Sequence, residues 1–129
     1  MMQSFIADDL YRVTNNNGRH HVYADEPLSK GGKDSAPTPD ELLEAALASC
    51  TLVTLRMYTN HKQWNVGQIN VNVQLVREKE KTIITRELSF EHELSEEQQQ
   101  RLLHVAKACP VSKTLGAASE LQVNIKSTT

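Results

Sequence analysis

Hydrophobic and polar positions divide the chain into a strand-rich start, a long central helix, a hairpin, and a helical end closed by one strand. Phe5 to Thr14 and Arg19 to Ala24 flank Asn15-Asn16-Asn17-Gly18. Asn and Gly tolerate positive φ, so this arrangement predicts a hairpin turn. Asp25 to Pro37 carries Pro27, Gly31, Gly32 and Pro37 and reads as a loop. At roughly a dozen residues, it has the length at which loops often serve function.

Thr38-Pro39-Asp40-Glu41 is a strong helix start. Thr38 can cap, Pro39 suits the first helical position, and Glu41 stands three residues after the cap, completing a capping box. Two early carboxylates also suit the positive end of the helix dipole. From Leu42 to Met57 the helix is apolar almost all round, with only Glu44 and Arg56 charged. A helix without a polar face is wrapped on most sides. A chain of 129 residues has little material for that, so a partner subunit is expected.

Gln68 to Val76 alternates cleanly, with Ile69, Val71, Val73 and Leu75 on one face of a half-buried strand. Arg77 to Lys81 is a charged turn, and Thr82 to Leu94 is the return strand. Ile84, Leu88, Phe90 and Leu94 share its inward parity with Arg86 and His92. An inward arginine is odd unless it is paired or snorkels at the sheet end. Ser95-Glu96-Glu97-Gln98 is a second capping box, opening a helix with Leu102, Leu103, Val105 and Ala106 inward. Pro110 breaks that helix and starts a short one reaching Ala118. Leu121, Val123 and Ile125 are expected to close the chain as a strand. Antiparallel hairpins with segregated helices predict the α+β class.

Length predicts a single domain over residues 1–129, able to bury roughly two-thirds of its unfolded surface without a disulfide or metal staple. A formal net charge of -2 argues against nucleic acid, which normally meets a basic face. Aromatic residues are only 5%, so base-stacking platforms are poorly supplied as well. The longest charge-free apolar run, Ala45 to Leu55, is far short of the roughly 20 residues that span a bilayer. The first residues lack the basic and apolar regions of a signal peptide, so a cytoplasmic location is expected.

In that compartment two cysteines are free, metal-binding or redox-active rather than stapled. Their wide spacing, without CxxC or HxxxH, is not a structural zinc pattern. The five histidines (His20, His21, His61, His92 and His104) read as surface or satisfied residues. Cys50 lies mid-helix among apolar residues, whereas Cys109 precedes Pro110 at the start of the short helix. A thiolate at a helix N-terminus is stabilised by the dipole and by backbone N–H groups. A cysteine in apolar packing is inert unless a cation is held against it. Arg19, Arg56, Arg86 and Lys113 are the candidate cations. At 3.6 residues per turn, Leu43, Thr54 and Met57 share the face of Cys50, and Arg56 points away. The residues alone leave open whether Cys50 does chemistry or simply packs as a small hydrophobe.

Three stretches go further: Thr38-Pro39-Asp40-Glu41-Leu42-Leu43, Ala48-Ser49-Cys50-Thr51, and Ala108-Cys109-Pro110-Val111. Together they resemble the OsmC/Ohr family of peroxide-handling proteins over nearly the whole length. Asp25-Glu26-Pro27, Gly31-Gly32, Leu55-Arg56-Met57-Tyr58 and Trp64 look more like the broad OsmC-like branch than the organic-hydroperoxide-resistance branch. The resemblance implies an OsmC-like fold, in which antiparallel sheets wrap long central helices in an intertwined homodimer. It implies Cys50 as the peroxidatic thiol and Cys109 as the resolving one. The family's acidic residue, ten positions before the first cysteine, matches Asp40, with Glu41 beside it as the runner-up. The family's arginine comes from the N-terminal hairpin, which points to Arg19. Aspartate replaces the more usual glutamate, and Ser112 and Lys113 stand where related chains often carry His and Arg.

The activity so implied is a thiol-dependent peroxidase, reducing alkyl hydroperoxides through a Cys50 sulfenate and a Cys50–Cys109 disulfide in oxidative-stress defence. Its partners would be an organic hydroperoxide and an external dithiol reductant, with no bound cofactor or metal, no nucleic acid and no membrane. Two alternatives stand beside it: a non-catalytic OsmC-like protein binding an apolar small molecule at the dimer interface, and a redox sensor.

Overall fold

The computed structural model describes residues 1–126. The chain divides into two units: Met1–Ala48 with Val71–Leu88, and Ser49–Asn70 with the chain from Ser89 onward.

The first unit opens with three short antiparallel strands, β1 (Gln3–Ile6), β2 (Val13–Asn16) and β3 (His21–Ala24), in the order β1-β2-β3. The expected hairpin is there. Asn16 and Asn17 shape its turn, their Oδ1 atoms accepting from the N–H groups of Gly18 at 2.6 Å and His20 at 2.7 Å. The single strand expected over Phe5 to Thr14 is instead two strands. Asp8-Asp9-Leu10-Tyr11 turns between them, with Leu10 at a φ of 53°. Acidic turn formers override a run that otherwise reads as continuous.

The loop from Asp25 to Pro37 is drawn tight by the buried Asp25 carboxylate, which is 2% exposed. It accepts from the Ser35 hydroxyl at 2.6 Å and from the backbone N–H groups of Ser35 at 3.0 Å and Glu26 at 2.7 Å. These bonds, the Ser35 hydroxyl first, lower the Asp25 pKa from 3.8 to about 2, because they favour the charged form. Gly32 belongs to the same closure: a Cβ there would sit 2.0 Å from the Glu26 carbonyl oxygen. Arg12 braces the loop from outside, donating to the Ser35 hydroxyl at 2.7 Å with its guanidinium 4.4 Å from the centre of the Tyr23 ring.

That loop delivers the chain to α1 (Pro39–Lys62). The capping box forms as expected: Glu41 N–H donates to Thr38 Oγ1 at 3.1 Å, and Thr38 N–H donates to Glu41 Oε1 at 3.0 Å. Along α1 the fully or nearly buried positions are Leu47, Thr51, Leu55 and Thr59, each four residues apart. One narrow stripe is therefore covered. Within this chain the expected all-round burial does not occur, since Val53 is 52% and Met57 68% exposed.

The strands β4 (Ile69–Arg77) and β5 (Thr82–Phe90) pair as a two-stranded sheet, and Glu78 N–H donates to the Lys81 carbonyl at 2.8 Å across the turn. On β5 the half-buried row is Ile84, Arg86, Leu88 and Phe90, so Arg86 does take the inward parity. His92 does not, because the strand stops at Phe90 and the chain turns. His92 is exposed, with Nδ1 2.9 Å from the Asn65 carbonyl oxygen.

In the second unit Leu55, Thr59, Val66, Leu102, Ala106 and Cys109 are buried. The helix α2 (Glu96–Lys107) begins at the expected Ser95–Gln98 capping box, and α3 (Pro110–Gly116) follows with Cys109 at its N-cap. Beyond α3 the expected closing strand is not formed. Residues 118–126 have no regular structure, and Leu121, Val123 and Ile125 are 92%, 95% and 97% exposed. No helix among the described residues is long and apolar enough to cross a membrane.

Candidate active site

Both cysteines belong to the second unit, and neither is in a disulfide. Cys50 is carried on α1 in a half-buried position. Cys109 is fully enclosed, at 0% exposure. Pro110 is responsible for where it sits: it ends α2 and starts α3, leaving Cys109 extended (φ −64°, ψ 144°) in the corner between the two helices. In that corner the Cys109 sulfur lies 3.8 Å from the hydroxyl oxygen of Thr51. Thr51 adjoins Cys50 on α1 and faces the core, also at 0% exposure. Successive helical residues point about 100° apart. The fold thus brings the Cys109 thiol against the turn of α1 that carries Cys50, with the Cys50 side chain on the adjacent, more open flank.

Farther along α1, Leu52, Val53, Arg56, Met57 and Ile69 line a shallow, mainly apolar depression of about 420 Å³. Val53 and Met57 are three and seven residues beyond Cys50, so helical spacing puts them on nearly the same side. Arg56 is fixed at the rim, where Nη2 donates to the Gly67 carbonyl at 2.6 Å. This surface can take an alkyl group; a polar or highly charged molecule gains little from it.

The acidic residues lie at the head of the helix, in the first unit. Glu41 is engaged in the capping box with Thr38. Asp40 makes a bidentate pair with Arg77 at the end of β4, Arg77 Nη2 donating to Asp40 Oδ1 at 2.7 Å and Nη1 donating to Oδ2. The hydrogen bonds from Arg77 hold the Asp40 carboxyl below its ordinary pKa, and the carboxylate raises that of Arg77. One turn on, Glu44 accepts from the Leu75 backbone N–H at 2.8 Å. Four helical residues rise about 6 Å and two strand residues span about 6.6 Å, so Asp40 and Glu44 meet Arg77 and Leu75 in step. The two carboxylates seat the start of α1 on β4.

Arg19, the expected partner of the acidic residue, stands exposed in the β2–β3 turn, and its backbone N–H donates to Asn17 Oδ1 at 2.9 Å. Its side chain has no hydrogen-bond or ion-pair partner among the described residues. Asp40 stands ten positions before Cys50 in the sequence of α1. Arg77 is the partner of Asp40 that sequence reasoning missed. It is 37 positions from Asp40 and reads as part of a charged turn, so no local pattern marks it. Among the described residues no group of His, Cys, Asp and Glu is arranged to hold a metal ion.

The fold has known counterparts. The family model for OsmC-like protein matches residues 32–124. No curated protein matches the sequence. Among solved structures, an OsmC-like protein from Mycoplasma pneumoniae is similar at 20% identity and a TM-score of 0.72, over 98% of this chain and 93% of that one. An organic hydroperoxide resistance protein OsmC from Legionella pneumophila is similar at 19% identity and a TM-score of 0.66, over 89% and 88% of the two chains. The organic hydroperoxide resistance protein OhrB of Bacillus subtilis gives 20% identity and a TM-score of 0.63, over 88% and 89%. At these identities the likeness establishes the fold, an α+β arrangement of antiparallel sheets and helices. The family match takes in both cysteines and every helix from α1 to α3, and on that extent the chain belongs to the OsmC-like protein family.

Proposed function

We propose that the protein is a thiol-dependent peroxidase that reduces organic hydroperoxides in oxidative-stress defence. The observation that carries the reading is the seating of the Cys109 sulfur on Thr51, beside Cys50, with neither cysteine in a disulfide. Solved relatives of the same fold are described as organic hydroperoxide resistance proteins, which supports this substrate class.

In the proposed cycle the Cys50 thiolate attacks the O–O bond of the hydroperoxide. The alcohol leaves after taking up a proton, and Cys50 becomes a sulfenic acid. The Cys109 thiol condenses with it, releasing water and forming the Cys50–Cys109 disulfide. An external dithiol then restores both thiols and is itself oxidised to a disulfide. The apolar depression beyond Cys50 favours alkyl over hydrogen peroxide. Arg19 is the proposed activating guanidinium, and Asp40 with Glu41 the proposed acidic group at the head of α1. Asp40 already holds Arg77, so orienting Arg19 requires that carboxylate to be shared or released. A homodimer is part of the proposal, because Val53 and Met57 leave an apolar flank of α1 uncovered in one chain. A cytoplasmic setting, where thiols stay reduced, completes it.

Free thiols counted after one equivalent of an alkyl hydroperoxide test the scheme. The expected result is rapid loss of both, recovery on adding a dithiol, and no turnover in Cys50→Ser. Cys109→Ser should stop at a trappable sulfenic acid. Full hydroperoxide reduction by Cys50→Ser would refute the proposal. The same depression also fits a protein that only binds an apolar ligand, and unchanged thiol counts together with ligand uptake would select that reading.

A further inference from the structure

Thr51 lies on the covered stripe of α1, four residues before the equally enclosed Leu55, yet it carries a hydroxyl. A hydroxyl shut into a core is unfavourable unless it is hydrogen-bonded, and valine would fill nearly the same space without that requirement. Thr59, eight residues on, turns its hydroxyl back on its own helix, donating to the Arg56 carbonyl at 3.1 Å. The Thr51 hydroxyl reaches across to the corner between α2 and α3, where its oxygen lies 3.8 Å from the Cys109 sulfur.

The backbone of Cys109 is held on both sides. Its N–H donates to the Ala106 carbonyl at 3.4 Å, and its carbonyl accepts from the Lys113 N–H at 3.1 Å. With the backbone so fixed, rotation about the Cα–Cβ bond decides where the sulfur points. The β-branched Thr51 side chain is itself restricted in rotation. Sulfur is a weak hydrogen-bonding atom, but a hydroxyl is both donor and acceptor, and its hydrogen turns to suit. Thr51 can therefore accept from the S–H of the thiol and donate to the sulfur once the proton has left. A sulfur anion in a fully enclosed corner needs such a donor more than an exposed one does.

We propose that Thr51 is a positioning residue for the resolving step, in which Cys109 attacks the Cys50 sulfenic acid. The proposal rests on the two-thiol peroxidase reading above and assigns a side chain to its second half. In the resting protein the Cys109 S–H donates to Thr51 Oγ1, which holds the sulfur against the turn of α1 that carries Cys50. In the step itself the Cys109 sulfur gives an electron pair to the Cys50 sulfur. The S–S bond forms, the Cys50 S–O bond breaks, and the departing hydroxide takes up the Cys109 proton as water. As that proton leaves, the Thr51 hydroxyl turns and donates to the attacking sulfur.

Rapid mixing with one equivalent of an alkyl hydroperoxide separates the two phases, sulfenic acid formation at Cys50 and disulfide formation with Cys109. Thr51→Val keeps the shape and loses the hydroxyl, so the second phase should slow about 10-fold relative to the first. Thr51→Ser keeps the hydroxyl and loses the methyl, and it should restore most of the native rate. A packing role predicts the reverse order, so a serine chain slower than the valine chain overturns the proposal. A valine chain that resolves as fast as the native one, or slows both phases alike, also overturns it and leaves the peroxidase reading standing. A native chain that loses no thiols overturns both. Thr51→Ser and Thr51→Ala, which differ by the hydroxyl alone, repeat the comparison if the valine chain does not fold; equal second phases in this pair overturn the proposal. One further measurement needs no change at residue 51. In Cys50→Ser the remaining cysteine is Cys109, and its S–H stretching band should lie below that of an alkanethiol in hydrocarbon. A band at the hydrocarbon position overturns the contact.

Discussion

Asp25 shows how one carboxylate can organise a loop, and it carries a pH signature. Its pKa in the folded chain is about 2, below the ordinary 3.8, so folding favours the ionised form. A depressed carboxylate contributes stability that is fully present above the ordinary value and is lost as pH falls toward the folded one. The native chain and Asp25→Asn should therefore differ in unfolding midpoint by a constant amount above about pH 5. The difference should shrink between 3.8 and about 2, and urea melts at a series of pH values would show it. A gap unchanged at pH 2 would mean the Asn variant fails for a steric reason. Arg19 and Arg77 are the other pair to separate at this scale. If Arg19 activates Cys50, Arg19→Ala should slow the oxidation of Cys50 by about 100-fold or more, as when a charge-stabilising donor is removed. Arg77→Ala should leave that step far less affected and instead loosen the head of α1. Rapid-mixing kinetics with an alkyl hydroperoxide distinguish the two.

Among the elements, α1 and α2 were legible because their start signals are local. Thr38 with Glu41 and Ser95 with Gln98 each close a capping box across three residues. Thr38→Ala removes the acceptor for the Glu41 N–H and should cost about 1 kcal/mol in urea unfolding, the usual size of an N-cap loss. The position of Cys109 was legible for the same reason, since Pro110 alone dictates where one helix stops and the next begins. Contacts over long separations were not readable. Asp40 meets Arg77 across 37 positions and Asp25 meets Ser35 across ten, and neither pairing has a spacing rule. Arg12 over Tyr23 lies between these cases: Tyr23 is opposite Thr14, and strand parity puts Arg12 on the same side two residues earlier. The break at Leu10 and the early end of β5 do not show in the sequence reading because apolar residues resume beyond the acidic residues that turn the chain.

For the whole molecule, the pattern of α1 pointed to more burial than one chain supplies. Leu47, Thr51, Leu55 and Thr59 are covered, whereas Met57 is 68% exposed. Because Met57 contributes little to the fold of one chain, Met57→Lys should leave the thermal midpoint nearly unchanged. It should weaken self-association, which sedimentation equilibrium would detect; a dimer of native affinity would remove this flank from the interface. The two units have a further property as a pair. Neither is a continuous stretch of chain, and α1, β4 and β5 each run across the boundary between them, at Ala48–Ser49, Asn70–Val71 and Leu88–Ser89. A module that genetic recombination can shuffle must begin and end in loops, and here every crossing falls inside a helix or strand. A break in the gene at any of these crossings would sever α1, β4 or β5.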